Sequence, residues 1–391
     1  MLDVWPLFPI IIRVSGHEIW GVNNAVAALE HNDRICMIDF CNISSLQSEE
    51  ILAIMQQPFP TLTRLQLGFE GETAPVIPDS FLGGSAPQLQ TLWLDNIPFP
   101  GLPRLLSSAT DLVALHLYDI PYSGYMLPEA IATCLPVSTR LESLIVRFES
   151  PLYPPNQRSR RPPPKTRSLL PALTEWRFKG VSEYLEDLMS RIDAPLLEKL
   201  DITFFYQLIF DTPQIAQFIS RTPKLKYDEA HVIFSNWDVS VTFPQAFDGV
   251  LVLGTSCRQS DWQLSSLAQI SNLFFPVPLI SAVEHLYILE DAFSQLGWQE
   301  DIESGQWLEF LHPFTSVKGL HISQEFLPRI VPALKDPVGE GATEMLPSLQ
   351  TLFVQPLIPS DPIQEVIGQF IAARQLSGNS ISVSYCEIER E

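Results

Sequence analysis

The chain has 391 residues, of which 46% are hydrophobic and only 18% are charged, so general disorder is excluded and there is ample apolar surface to bury. The formal net charge of -21 would repel a phosphate backbone or an anionic membrane, so we expect neither nucleic acid nor a membrane as a partner. No apolar run approaches the roughly 20 residues needed to span a bilayer.

The first ten residues, Met1 to Ile10, are apolar but have no basic region, contain prolines and lack a small-residue cleavage site, so we expect no secretion signal. The five cysteines are widely spaced and form no C-x-x-C pair, which is typical of a protein from a reducing compartment. We therefore predict a cytoplasmic or nuclear location, and we assign no metal ion and no cofactor.

A pattern of the form L-x-x-L-x-L recurs along the chain, and its clearest copies begin at Leu62, Leu89, Leu112 and Leu141. Further copies with more varied apolar residues begin at Ile35, Leu173, Leu197, Val283, Val317 and Leu349. Alternation of this kind indicates a strand with one buried face. In so hydrophobic a chain the pattern alone is not specific, because chance produces similar spacings.

Proline supplies the specificity that the apolar pattern lacks. In six copies a proline stands two residues before the first apolar position: Pro60, Pro87, Pro171, Pro195, Pro223 and Pro347. Proline cannot continue a helix, and it biases the preceding residue toward extended backbone. Each copy therefore predicts the end of a returning segment followed by a strand.

Segments with helical spacing separate the copies. Thr212-Pro213 and Asp361-Pro362 both combine a capping residue with proline at the first helical position. Amphipathic spacing also extends over 49–57, 182–192 and 261–274. A strand and a helix or turn are thus predicted to recur roughly every 23 to 34 residues.

Consecutive strand–helix units require parallel strands with right-handed crossovers. An open leucine-rich horseshoe and a closed eight-stranded barrel both satisfy this requirement. The number of copies and their variable spacing favour an α/β open leucine-rich-repeat-like solenoid, with a parallel sheet on its concave face and helices or turns on its convex face. The asparagine of the standard repeat is mostly absent, so the repeats are degenerate. We divide the chain into a lead-in or capping segment, 1–33, and a repeat domain, 34–391.

The segment 151–168 breaks the rhythm, because it is rich in proline and offers little to bury. We expect an exposed loop there. Its basic residues are Arg158, Arg160, Arg161, Lys165 and Arg167. They form either a docking patch, a nuclear localisation signal or simply a solvated insertion. The region 227–261 is also irregular, and its repeats cannot be assigned.

Catalytic motifs are missing from the sequence. We find no phosphate-binding loop, dinucleotide-binding turn, nucleophile elbow or zinc-protease helix. The histidines and carboxylates are scattered without the spacing of a metal site. We therefore expect a protein that is not an enzyme.

The repeat pattern itself predicts where a partner would bind. The apolar positions point into the core, so the residue between the last two of them points to the concave face. Through the copies, that row is Gln66, Trp93, His116, Ile145, Arg177, Asp201, Tyr287, His321 and Phe353. Large aromatic residues and arginine anchor protein interfaces, which makes this row the candidate partner-binding site. The alternative is that loops or neighbouring side chains cover these rings.

Six phrases of the sequence carry a family resemblance: 28–34, 78–87, 160–164, 180–187, 209–213 and 218–225. In them the chain resembles fungal, mushroom-type F-box proteins with degenerate leucine-rich repeats, over essentially its whole length. The resemblance implies substrate recruitment to a cullin-type ubiquitin ligase, with the F-box holding a Skp-type adaptor and the repeats holding the substrate. In that family an F-box would precede the phrase Leu2-Asp-Val-Trp-Pro6. Met1 stands directly before that phrase, so we expect neither the F-box nor the Skp-type adaptor as a partner.

Three hypotheses of function follow. The first is a non-enzymatic interaction module for a protein of unknown identity, which resembles the substrate-recognition half of an F-box protein and would serve a ubiquitin ligase if an F-box were supplied. The second is an enzyme on a closed barrel, with ionisable residues gathered at the carboxyl ends of its strands. The third is a structural remnant without a binding role.

Overall fold

Two compact units, Met1–Glu198 and Lys199–Glu391, make up the chain. The computed structural model describes residues 8–15, 19–71, 75–151, 166–207, 210–225, 227–244, 250–257, 260–273, 280–291, 304–335, 345–355, 361–376 and 380–385. Each unit combines a mostly parallel β-sheet with α-helices. The predicted division into 1–33 and 34–391 remains a prediction.

The first unit alternates strands with short helices. Its strands are β1 (Ile10–Ser15), β2 (Ile35–Ser44), β3 (Arg64–Glu70), β4 (Thr91–Asp95), β5 (Ala114–Ile120), β6 (Ser143–Phe148), β7 (Ser168–Leu169), β8 (Glu175–Gly180) and β9 (Ile192–Asp193). Its helices are α1 (Ile19–Leu29), α2 (Ser45–Ile54), α3 (Leu102–Leu106), α4 (Pro128–Cys134) and α5 (Ser182–Arg191). β1 to β6 and β8 form one parallel sheet in chain order, and β7 pairs with β9 separately.

The six prolines all occupy the same tight turn. In the first of these turns, the N–H of Leu62 donates to the carbonyl of Phe59 at 3.2 Å, so Pro60 is the second residue of a β-turn, where its fixed φ is favoured. The equivalent bond closes the turns that end at Leu89, Leu173, Leu197, Leu225 and Leu349. All six of these leucines are buried. The prolines therefore stabilise the turn that places each of these leucines in the core.

The core of the first unit is built from rungs of apolar side chains on neighbouring strands. One rung joins Leu65, Leu92, Leu115, Leu144 and Trp176 in direct register, and all of these residues are fully buried. Each such side chain contributes roughly 1.5–3 kcal/mol through burial. Side chains alternate between the two faces along each strand, so the residues next to these rung positions point to the other face of the sheet.

The second unit has longer helices and a less regular sheet. Its strands are β10 (Lys199–Phe205), β11 (Glu229–Phe234), β12 (Asp238–Pro244), β13 (Val250–Ser256), β14 (His285–Glu290), β15 (Gly319–Ser323), β16 (Thr351–Gln355) and β17 (Ser382–Tyr385). Its helices are α6 (Pro213–Arg221), α7 (Ser260–Leu273), α8 (Ser304–Leu311), α9 (Leu327–Lys335) and α10 (Asp361–Leu376). The predicted helices after Thr212 and Pro362 and over 182–192 and 261–274 are confirmed.

The helix predicted over 49–57 begins earlier, at Ser45. The N–H of Ser44 donates to the side-chain oxygen of Gln47 at 3.4 Å, which is half of a capping box and sets the start of α2. The sequence has the Ser-x-x-Gln pattern of this cap at Ser44 to Gln47. The predicted helix began at Glu49 instead, because it was based on the spacing of the apolar residues alone.

The expectation of uniformly parallel strands is wrong at β12. The order in this part of the sheet is β10, β13, β12, β11, β14, and β12 is antiparallel to both β11 and β13. β10 is parallel to β13, and β11 is parallel to β14. This hairpin explains why 227–261 could not be assigned to the repeat, since only 235–237 separate β11 from β12 and only 245–249 separate β12 from β13, which leaves no room for a returning helix.

Neither sheet closes on itself. Among the described strands, β1 pairs only with β2, and β17 pairs only with β16. The closed barrel on which the enzyme hypothesis depended is therefore wrong. Among the helices of the described ranges, none has the length and apolar character needed to cross a membrane.

Candidate functional site

The predicted row of the first unit lies on adjacent strands in direct register. Gln66, Trp93, His116, Ile145 and Arg177 stand opposite one another across β3, β4, β5, β6 and β8. The sequence therefore located the members of one continuous row on the exposed sheet face. Of the five, Ile145 is fully buried, and the others are partly or largely exposed. Their role in binding remains a prediction.

Trp93 is the centre of an aromatic cluster. Its indole stacks on the ring of Tyr118 at 4.7 Å and meets the ring of His116 edge-on at 5.4 Å. The guanidinium carbon of Arg147 lies over Tyr118, 5.6 Å from the ring centre, which is within cation–π range. Tyr118 was missed by the sequence analysis, although it follows His116 by two residues and must share its face in a strand.

A chain of polar contacts crosses the same face from β5 to β8. The Ser143 hydroxyl lies 2.9 Å from His116 Nε2 and donates to Glu175 Oε2 at 3.1 Å. Glu175 in turn accepts from Arg177 Nε at 2.8 Å. Burial raises the pKa of Glu175, but the hydrogen bonds and charge of Arg177, with the Ser143 hydrogen bond, outweigh it and lower the pKa overall.

These contacts do not make a nucleophile. Because the Ser143 proton is directed to Glu175, His116 must be the donor to the hydroxyl, and it cannot act as a base toward it. Burial lowers the pKa of His116, which keeps the imidazole neutral. Its Nδ1 is buried and has no hydrogen-bond partner among the described residues. The arrangement fixes side chains on the face and does not activate one of them.

The end of this face nearest β2 carries charges of both signs, because Arg13 on β1 stands in register with Asp39 and Arg64 lies on β3. Cys41 Sγ donates to Asp39 Oδ1 at 3.3 Å, and Gln66 Nε2 lies 3.4 Å from the same sulfur. Burial and the interactions with Asp39 raise the pKa of Cys41, and the charge of Asp95 adds to the rise. Burial and the charge of Asp119 raise the pKa of Asp95 itself. Two carboxylates, those of Asp39 and Asp95, therefore act on the Cys41 thiol.

In the second unit the predicted row is also continuous, but it includes residues that the sequence analysis missed. The full register row is Asp201, Val252, Thr242, His231, Tyr287, His321, Phe353 and Ser384. Val252, Thr242 and His231 belong to the hairpin region. Burial alternates along these three strands. Without a repeat to fix the register, the sequence did not show which side of the sheet each residue would occupy.

Four rings of this row form a ladder, which comprises His231, Tyr287, His321 and Phe353. The ring centres are 4.4 Å apart for the first pair, 4.0 Å for the second and 4.1 Å for the third. The last two pairs are nearly parallel, with interplanar angles of 15° and 5°. The rings thus cover one another, as in offset stacks elsewhere in proteins.

A third histidine of this unit, His285, lies beside the ladder, with its ring centre 6.1 Å from that of His321. It leans over Gly319, where an added Cβ would lie only 2.6 Å from His285 Nδ1. Burial, together with the charges of His285 and His231, lowers the pKa of His321 to about 4. Burial also lowers the pKa of His231, although Glu229 acts in the opposite direction. The centre of the ladder is therefore uncharged at neutral pH.

Of the basic residues in the predicted docking loop, only Arg167 is among the described residues. Arg158, Arg160, Arg161 and Lys165 lie outside the described residues. Arg167 is described, and its Nε donates to the carbonyl of Ser190 at 3.2 Å. Within the described ranges, no group of three or more histidine, cysteine, aspartate or glutamate side chains is arranged to hold a metal ion.

Comparison with known proteins identifies no family. No protein-family model matches the chain, and no curated protein matches it. Among solved structures, the chain is similar to the leucine-rich repeat-containing protein LegL7 from Legionella pneumophila, with 10% sequence identity, coverage of 95% of this chain and 91% of that chain, and a TM-score of 0.30. A TM-score at this level does not establish a shared fold.

Proposed function

We propose that this chain is a non-enzymatic protein-interaction module of the leucine-rich-repeat solenoid type, which binds a protein partner on the exposed faces of its sheets. The observation that carries the proposal is the aromatic content of those faces. The first unit presents Trp93 and Tyr118, and the second presents the four-ring ladder. Rigid, half-exposed aromatic side chains of this kind are the usual anchors of protein interfaces.

The shape of the face also favours a macromolecule over a small substrate. The candidate residues lie along a row on consecutive strands, whereas small-molecule sites are concave and enclose their ligands. The contacts of His116, Ser143 and Glu175 are in the wrong order for nucleophilic catalysis. An interaction role uses both features without requiring chemistry that the residues do not provide.

A finer assignment is the substrate-recognition half of an F-box protein, in the cytoplasm or nucleus. It is supported by the family phrases and by the degenerate repeats with their proline turns. On this proposal the sheet faces receive the substrate, and any link to a ubiquitin ligase requires an F-box that another segment or protein supplies. The function of the module does not depend on that link.

The test is capture of partners by immobilised chain. We expect Trp93→Ala to remove partners of the first unit, and Tyr287→Ala with Phe353→Ala to remove those of the second, by at least about thirtyfold for an anchor residue. Trp237 and Trp262 are 58% and 46% exposed and lie outside the rows, so Trp237→Ala and Trp262→Ala are matched controls. Bound proteins are quantified by mass spectrometry, and circular dichroism checks the fold.

Two outcomes would count against the proposal. Equal capture by the wild-type chain and the row variants would move the binding site away from the sheet faces, with the segment 151–168 as the next candidate. Loss of capture in the two control variants as well would show that any exposed tryptophan matters, which is typical of non-specific adhesion.

A further inference from the structure

Two aliphatic side chains extend the ring ladder of the second unit into a wider surface. Ile233 follows His231 by two residues on β11, and Leu289 follows Tyr287 by two residues on β14, so both lie on the ladder's side of the sheet. Ile233 and Leu289 stand opposite each other in direct register, and both are half-buried. We call the surface formed by Ile233, Leu289 and the four rings of the ladder the apolar step.

The apolar step is uncharged at neutral pH. Its two histidines, His231 and His321, are the residues that could become charged in this range, and burial lowers the pKa of both. His231 Nε2 and His321 Nδ1 are shielded from solvent and have no hydrogen-bond partner in the described part of the chain. A proton on either atom would therefore be poorly solvated, which keeps the rings neutral.

Charged side chains surround the apolar step. Across β11, β12, β14, β15 and β16, with one described residue on either side of each strand, the carboxylates and the single amine all stand at strand ends: Asp228, Glu229, Asp238, Glu284, Glu290, Asp291 and Lys318. Glu229 Oε2 lies 3.7 Å from His231 Nε2, on the side of the ladder away from Ile233. Glu284 and Lys318 pair with each other at 2.7 Å. An apolar centre within a charged rim is the usual anatomy of a protein interface.

The charge distribution selects the occupant. A charged side chain placed on the rings would lose hydration and gain no counter-charge there, whereas an apolar side chain would gain from burial. The ladder crosses the neighbouring strands β11, β14, β15 and β16, a span of about 14 Å at the usual strand spacing. An extended segment of about four residues covers that distance.

We infer that the apolar step seats an extended, uncharged segment of a protein partner, and that apolar side chains of this segment pack against the ladder, Ile233 and Leu289. The inference rests on the proposed function and names the chemistry of the partner for the second unit. The face of the first unit suits a different segment, because Arg147 and Lys179 stand opposite each other within its rows.

The direct test uses a short capped peptide with leucine, phenylalanine and leucine between glycine and serine residues. Two control peptides carry lysine or glutamate in place of both leucines, so that attraction and repulsion by the chain's net charge of -21 are both sampled. Binding is followed by fluorine magnetic resonance of the chain labelled with 3-fluorotyrosine, in which Tyr287→Phe assigns the signal of Tyr287.

We expect the apolar peptide to shift the Tyr287 signal with an affinity on the order of millimolar, and both charged peptides to leave it unchanged. Added salt should not weaken the binding, because no ion pair contributes to it. The affinity should also stay constant between about pH 8 and about pH 6, where the histidines of the apolar step are neutral.

Two matched variants locate the bound peptide. Leu289→Lys places a charge on the apolar step and should abolish binding. Thr351→Lys makes the same change on the same face of the sheet, but Thr351 precedes Phe353 by two residues on β16 and therefore lies on the other side of the ladder. This control should bind as the wild type does. The signals of the other eight of the nine tyrosines report whether each variant is folded.

Several results would overturn the inference. Equal shifts with either charged peptide, or unchanged binding in folded Leu289→Lys, would show that the apolar step does not select an apolar segment. A Tyr287 signal that moves with protein concentration would indicate a second copy as the occupant. One that moves when the apolar residues of 274–279 are replaced by serine would indicate a segment of the chain itself.

The failure of this inference and that of the proposed function can be told apart. If Tyr287→Ala with Phe353→Ala removes a captured protein while Leu289→Lys retains it, the module binds a partner but not through an apolar segment on this surface. If the apolar peptide binds as expected while no captured protein depends on the exposed faces, the apolar step is a peptide site and the interaction role is wrong.

Discussion

The exposed faces of the two sheets are built on the same strand alternation, yet they are chemically different. The face of the first unit combines one stacked pair, Trp93 and Tyr118, with charged groups and a chain of hydrogen bonds. The face of the second unit centres on a ladder of four rings, three of them stacked, and on two histidines with lowered pKa values. The repeat fixes where these side chains stand, whereas their identity decides what they can bind.

The difference teaches that the two faces gain their rigidity from different forces. In the second unit, dispersion and stacking between ring faces hold the row, and these forces need no charge. In the first unit, hydrogen bonds to ionised groups hold Ser143 and Glu175, and these contacts are weakened by salt and by solvent exposure. We therefore expect the face of the second unit to be destabilised by the loss of a ring, and the face of the first unit to be sensitive to salt.

The largest effect is expected from Tyr287→Ala. Tyr287 stacks on His321 and contacts the tilted ring of His231, so its removal separates His231 from the other two rings and leaves a gap between them. We expect the free energy of unfolding to fall by about 2–3 kcal/mol. Urea denaturation measures the loss, and Tyr287→Phe is the control that keeps the ring. A loss as large in Tyr287→Phe would assign the stability to the hydroxyl group instead of the stack.

A smaller, pH-dependent effect is expected from His321. Its folded pKa is about 4, whereas an unfolded histidine titrates near 6.5. Between these values the unfolded chain binds the proton more readily, so this contribution to stability is fully present above about pH 6.5 and is lost as the pH falls toward 4. Because the side chain is partly exposed, solvent screening limits the loss to about 1–2 kcal/mol.

The comparison is between the wild-type chain and His321→Phe, which keeps a ring and removes the titration. We expect the wild type to lose more stability than this variant between about pH 7 and about pH 4 in urea denaturation. The titratable groups that act on His321 are His285 from β14 and His231 from β11, and they are the same in both proteins. An identical pH dependence in both would assign the acid sensitivity to other groups.

The smallest effect is expected from Ser143→Ala. The hydroxyl joins His116 to Glu175, but the face is partly open to water, which can replace the lost bonds. We expect a loss of about 1 kcal/mol or less, and a response to salt that the Tyr287 variant does not share. Urea denaturation at low and high ionic strength measures both. A salt-independent loss above about 2 kcal/mol would show that Ser143 is part of the core packing.

Much of the scaffold was predictable from the sequence because proline and leucine act locally. A proline two residues before a buried leucine specifies one β-turn, and the alternation that follows specifies which side chains are exposed. On β3, β4, β8 and β16 both signals are present, whereas on β5, β6, β14 and β15 the apolar alternation alone located the row. Pairing between distant segments carries no such local signal, and β12 was missed for that reason.

One local signal was available and was not used. Asn42, Asn96 and Asp119 each stand two residues after the third apolar position and adopt positive φ values of 56°, 53° and 44°. Asparagine and aspartate tolerate this left-handed backbone better than most residues. Asn96 directly follows β4, and Asn42 and Asp119 lie where the pairing of β2 with β3 and of β5 with β6 shifts register. Cys41, Asp95 and Tyr118 directly precede them and were missed with them.

The hairpin also has a consequence for the order in which a ribosome can complete the two sheets. In the first unit, β2 to β6 each pair with the strand made just before them, and β8 pairs with β6, so this sheet can grow as the chain emerges. In the second unit Lys199 pairs with Val250, about 50 residues later, which takes roughly 3–10 seconds of synthesis. Until then that edge of β10 has no partner from its own unit, and the nascent chain is most exposed to misfolding while β11, β12 and β13 are being made.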